Sequence, residues 1–99
     1  MSKKILHLTL LRVWFDAIAS GEKTQEFREL KPYWVKRLRG KTFDEVWFKN
    51  GYSKTAPFMR VEFKALSETN DTFIIHLGKL LELKHFFTFF VIFYNFIYK

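Results

Sequence analysis

The chain contains no cysteine. Disulfides, thiolate metal sites and a cysteine nucleophile are therefore excluded. Its three histidines, His7, His76 and His85, show no close pairing, so a zinc site would have to come from scattered His, Asp and Glu side chains. No metal site and no cofactor are expected. No internal repeat is visible. The longest uncharged apolar run, Phe86 to Tyr98, has thirteen residues, whereas a helical membrane span needs roughly 20. The opening Met1-Ser2-Lys3-Lys4 is basic, but the apolar run behind it is broken by His7, Thr9 and Arg12. It makes a poor signal peptide, and cytoplasmic residence is the expectation.

What is present is a chain of 99 residues, 48% hydrophobic and 20% aromatic, with 13 phenylalanines. That length allows one domain around one core, and that apolar content argues against disorder throughout. Seventeen Lys and Arg against ten Asp and Glu leave a net charge of +7. A small basic domain rich in aromatics suits a phosphate-bearing partner. A solvated cationic surface that only aids solubility gives the same count.

Hydrophobic spacing divides the chain. Over residues 4–11, Leu6, Leu8 and Leu10 alternate with His7 and Thr9, which predicts a half-buried strand with His7 opposite the leucines. Leu11, Trp14, Phe15 and Ile18 then fall on one helical face. Trp14 in that stripe reads as a core anchor, and Gly21 stands where the helix end needs a positive φ. Residues 23–29 return to strand spacing, with Thr24, Glu26 and Arg28 on one face and Gln25 and Phe27 on the other. The apolar Phe27 predicts that its own face is the core, so that Glu26 and Arg28 look outward or into a cleft. Lys23 can join them only from the Gly21 turn, before regular pairing begins.

Pro32 opens a second helix with apolar Tyr33, Trp34, Val35 and Leu38, interleaved with basic Lys36, Arg37 and Arg39. Its positive cluster, Lys31 to Lys41, can line a nucleic-acid path or simply face solvent. Further strands are expected over 43–49, 58–66, 72–77 and 79–84, with a turn or bulge at Gly78. Between the first two lies a polar loop, Asn50-Gly51-Tyr52, of the kind that carries contacts. About six strands and two short helices near the N-terminus predict an α+β chain built on a small, partly closed β-barrel over residues 1–84. Residues 85–99 form an apolar, Phe-rich C-terminal tail. Docking on the barrel or self-association through 86–98 is expected of it, with membrane contact the less favoured role.

The chemistry concentrates in Gly21-Glu22-Lys23-Thr24-Gln25-Glu26-Phe27-Arg28. A lysine and an arginine in one cleft meet phosphate or carbonyl oxygens, the arginine with two parallel donors. Glu26 can accept from an exocyclic amine or hold the two cations in place. The same residues can serve chemistry, with Lys23 as base or nucleophile and Glu26 as general acid or base. A surface ion-pair cluster without function has the same spacing.

Read as G-x-K-x-x-E-x-R, this stretch resembles the signature of the ASCH domain (activating-signal-cointegrator homology), a branch of the PUA-like folds. The resemblance covers most of residues 4–84 in the order strand, helix, motif and barrel strands. It implies a PUA-like barrel and binding of RNA or a nucleotide, with Gly21, Lys23, Glu26 and Arg28 in the cleft. Asn50, Tyr52 and Arg60 are expected to form the second wall. Some small ASCH-like proteins are amidohydrolases that act on acetylated cytidine nucleosides, using the motif lysine, a threonine three residues later and a glutamate from a helical connection. Here Lys23 matches, Glu26 stands at the threonine position, and the connection is only Ser67 to Asp71, with Glu68 its one glutamate. A hydrolase of modified nucleosides or of RNA, using Lys23 and Glu26, is therefore the alternative.

Overall fold

Three leucines at alternate positions build the first strand. Leu6, Leu8 and Leu10 are buried while His7 and Thr9 between them are exposed. The computed structural model describes residues 2–85. Over that span the chain runs β1 (Ile5–Thr9), α1 (Arg12–Ala19), β2 (Gln25–Glu29), α2 (Pro32–Leu38), β3 (Glu45–Lys49), β4 (Phe58–Glu68) and β5 (Thr72–Lys84). The strands form one sheet in the order β1-β3-β4-β5-β2, with β1 parallel to β3 and the other pairs antiparallel. The sheet curls into a half-barrel, and the fold is α+β. The C-terminal tail, and the self-association expected of it, lie outside the described residues.

The core fills the inside of the curl. Val46, Phe48, Met59, Val61, Phe73, Ile75 and Leu77 join the β1 leucines, and Phe15, Ile18 and Leu38 arrive from the two helices. Burying one side chain of this size contributes about 1.5–3 kcal/mol. Helix α1 has only eight residues and buries two of them, Phe15 and Ile18. Trp14 is therefore not the core anchor its spacing predicts; it is 49% exposed and stays on the surface beside Lys23. The backbone N–H of Ser20 bonds the Asp16 carbonyl and that of Gly21 bonds the Ile18 carbonyl. Gly21 sits at φ +86°, the left-handed conformation that lets the chain leave the helix there.

There are five described strands rather than six. The two strands expected on either side of Gly78 are one 13-residue strand, β5. Glycine allows this by close approach: a Cβ on Gly78 would lie 2.1 Å from Oε1 and 3.2 Å from Cβ of Glu62 on β4. Val61 is opposite Leu80 while Phe63 is opposite Leu77, so β5 carries an extra residue here. That irregularity is a β-bulge, which bends a long strand without ending it.

Among the described residues the sheet does not close: β1 pairs only with β3, and β2 only with β5, which leaves each as an edge. Arg28 of β2 crosses the opening, its Nη2 donating to the Thr9 carbonyl on β1 at 3.2 Å. Among the described residues no helix is long and apolar enough to cross a membrane.

Candidate functional site

Register decides where the motif points. Glu26 is opposite Ile75, and Arg28 is opposite Phe73. Directly opposed residues share a sheet face, and Ile75 and Phe73 are fully buried core. Glu26 and Arg28 therefore face the inside of the curl, whereas Phe27 is 48% exposed. This reverses the expectation that Phe27 marks the core face. The inward position is tolerable because the charges meet: Arg28 Nη2 lies 2.7 Å from Glu26 Oε2, and Lys23 Nζ lies 3.7 Å from Glu26 Oε1. Phe27 gains a partner on the outside, with Lys23 Nζ 4.6 Å from its ring centroid.

Lys23 meets the geometric requirement stated for it. It precedes β2, and its backbone N–H bonds the Ala17 carbonyl at 3.0 Å. The motif is nevertheless not one cleft. Lys23 lies in an open groove of about 400 Å³ with Trp14, Thr24 and Phe27. Arg28 lies in another, of about 410 Å³, with His7, Thr9, Tyr33, Trp34, Arg37 and Tyr52. Glu26, only 6% exposed, stands between the two cations and gives one oxygen to each. Gly21 shapes the α1–β2 turn and lies outside the Arg28 groove.

The Arg28 groove is the more elaborate of the two. Its floor is the Trp34 ring, with the Arg28 guanidinium 4.9 Å from the centroid and that of Arg37 5.2 Å away. Arg37 also donates to the Tyr33 hydroxyl at 2.7 Å and to the His7 carbonyl at 3.4 Å. Two rings stand at the rim, Tyr33 at 61% and Tyr52 at 89% exposure. Asn50 does not line the groove. Its side-chain amide donates to the Leu10 carbonyl at 2.9 Å, which ties the Tyr52 loop to the end of β1.

Arg60 is not part of this wall. Its neighbours in sequence, Met59 and Val61, fill the core, so Arg60 points to the outer face. There its Nη1 lies 3.1 Å from Glu45 and its Nε 3.0 Å from Glu82. Glu45, 3% exposed, also takes Lys3 Nζ at 2.6 Å and the Trp47 indole N–H at 2.9 Å. These hydrogen bonds, Lys3 first, and the Arg60 charge hold the Glu45 carboxyl below its ordinary value against the opposing effect of burial.

Tyr33, Trp34 and Arg37 were legible as a basic aromatic helix but not as the groove. The available signal was the i, i+4 spacing of Tyr33 and Arg37 behind Pro32, which places them on one helical stripe. Of the residues named for the hydrolase alternative, Lys23 and Glu26 lie 3.7 Å apart, while Glu68, the glutamate of the 67–71 connection, is engaged separately. Glu68 belongs to β4, and both its oxygens accept from Arg39, at 2.8 and 2.9 Å. Those bonds hold its carboxyl below the ordinary value, which disfavours a general acid at neutral pH. The described residues hold no group of three His, Asp or Glu side chains placed to bind a metal.

No known family model matches this chain, and no curated protein matches it significantly.

Proposed function

We propose that this chain is a PUA-like, ASCH-type module of the cytoplasm that binds RNA or a nucleotide in the Arg28–Arg37 groove. One observation carries the reading: two guanidiniums, Arg28 and Arg37, lie against the Trp34 ring in a groove lined by exposed Tyr33 and Tyr52. Guanidiniums supply paired donors to phosphate. Exposed tyrosines supply faces on which unpaired bases stack. Glu26 is the positioning residue, holding Arg28 toward the groove and Lys23 toward its neighbour. The net charge of +7 favours encounter with a polyanion.

Fluorescence anisotropy with labelled single-stranded RNA tests this across a salt series. Arg37→Ala and Tyr52→Ala are the informative variants, because neither side chain is in the core. Removing one phosphate contact should weaken binding about tenfold and lower the salt slope by about 0.7. Loss of one stacking ring corresponds to about 1–3 kcal/mol, or roughly 5- to 150-fold. Unchanged binding in both folded variants would overturn the assignment of the groove. Lys23-dependent turnover of a modified nucleoside would replace binding with hydrolysis.

A further inference from the structure

We infer that the ligand is a single strand of several nucleotides that crosses the edge of β1, rather than a mononucleotide held in one groove. This rests on the binding reading above and extends it to a second surface. The Arg28 groove does not end at β1. His7, Leu8 and Thr9 line it, and the same three residues line another groove, of about 290 Å³, whose other walls are Trp47, Lys49 and Phe58. The two grooves therefore meet along one strand, from opposite sides of its free edge.

The second groove has the chemistry of the first. His7, Trp47 and Phe58 form a row of rings on the outer face, with centroids 5.4 Å apart for His7 and Trp47 and 5.6 Å apart for Trp47 and Phe58. Both contacts are edge-on, at 78° and 88°. Rings in edge-on contact leave no room between them, so a base would stack on a ring face that the contact leaves open. Cations border the row. Lys49 is exposed beside Trp47, and Lys84 Nζ lies 5.4 Å from the Phe58 centroid. Thr9, Lys49, Phe58 and Lys84 occupy one line across β1, β3, β4 and β5. Neighbouring strands are about 4.8 Å apart, so Phe58 stands about 10 Å beyond β1. One nucleotide in the Arg28 groove cannot reach that far; a connected chain of them can. Cationic side chains interleaved with ring faces on both sides of the edge match a phosphate backbone carrying unpaired bases.

A length series decides it. Uridine monophosphate and uridine oligomers of two, four, six and eight nucleotides are titrated against the full chain by calorimetry or competition anisotropy at fixed salt. Lys49→Gln and Trp47→Leu are measured in parallel, with circular dichroism to confirm folding. The expected result is a hexamer that binds at least tenfold tighter than the monophosphate, with that ratio falling toward one in both variants. Arg37→Ala should lower affinity at every length. Equal affinity of monophosphate and hexamer would overturn the path over β1 while leaving the Arg28 groove intact, as would a length gain that survives in both variants. No binding at any length would overturn the groove assignment itself. Should Trp47→Leu fail to fold, since the indole bonds the buried Glu45, the exposed Lys49→Gln carries the comparison alone.

Discussion

Replacing Glu26 should move stability and affinity in opposite directions. Its carboxylate is 6% exposed and takes Arg28 at 2.7 Å and Lys23 at 3.7 Å, cations whose own side chains are 18% and 17% exposed. Glu26→Gln keeps the shape and one acceptor but turns a charge-assisted hydrogen bond into a neutral one. The difference between those classes is about 1–2 kcal/mol. Glu26→Ala removes the acceptor as well. Breaking a fully buried pair costs about 3–5 kcal/mol, and partial exposure of the cations reduces this to about 2–4 kcal/mol. In a domain of this size 1 kcal/mol corresponds to about 4–8 °C in Tm, so Glu26→Gln should melt about 4–16 °C below the parent in calorimetry. RNA affinity should rise several-fold at low salt, because one negative charge beside Arg28 has gone while the glutamine oxygen can still accept from its Nη2 and hold it toward the groove. A melting temperature within a degree of the parent would refute the argument that the shared carboxylate holds the motif together. Lost RNA binding in a folded Glu26→Gln protein would refute the argument that the Glu26 charge opposes the ligand.

Two further outcomes follow from other parts of the fold. Gly21→Ala should cost about 1 kcal/mol, read as a Tm lower by several degrees. Nothing lies within 4 Å of the added Cβ, so the cost comes from φ +86° alone, and Gly21→Asn should recover part of it. Acid titration of stability should show a Glu45 component. Its folded carboxyl is held below the ordinary value of 4.5, so its stabilisation is present above that value and is lost as pH falls through the lower folded value. Glu45→Gln should flatten the acid limb of a plot of Tm against pH; an unchanged limb would show that Lys3, Trp47 and Arg60 do not hold this group ionised.

The strands and helices were legible because their apolar residues recur with clear periods. The β1 leucines and Phe15 with Ile18 point inward as their spacing predicts, and Val46 with Phe48 and Met59 with Val61 share one face of their strands, as alternation requires. Periodicity fails where a single apolar residue has to choose a face. Phe27 is the only large apolar side chain in β2, and period-2 logic assigns the core to it. The register with β5 assigns the core to Ile75 and Phe73, and so to Glu26 and Arg28. That information lies on β5, far downstream in sequence, and is not local. Gly78 failed for a related reason: a glycine that ends a strand and one that lets a strand bend against Glu62 look alike in sequence. The candidate site was half legible. Lys23, Glu26 and Arg28 do share one carboxylate, but the Trp34 floor and Arg37 come from a helix whose packing against β1 no spacing rule predicts.

The half-barrel explains why arginines occupy this groove. An open sheet leaves the backbone of its edge strands unpaired, and an edge must be covered or charged to avoid pairing with another chain. On β1 the Thr9 carbonyl accepts from Arg28 and the His7 carbonyl from Arg37. Arg28 uses the same Nη2 for Thr9 and Glu26, and its Nε is buried with no hydrogen-bond partner among the described residues. A lysine has one charged nitrogen where the planar guanidinium has five N–H donors in a fixed fork. Only the fork can cap an edge carbonyl, pair a carboxylate, lie on Trp34 and keep donors toward a ligand. Protection of the edge and recognition of a phosphate are thus performed by the same side chains. At Arg28 the two roles cannot be separated, because its substitution also unpairs Glu26 and Thr9. At Arg37, which has no carboxylate partner among the described residues, the contact to β1 is long at 3.4 Å, and a loss of binding there can be read without a loss of fold.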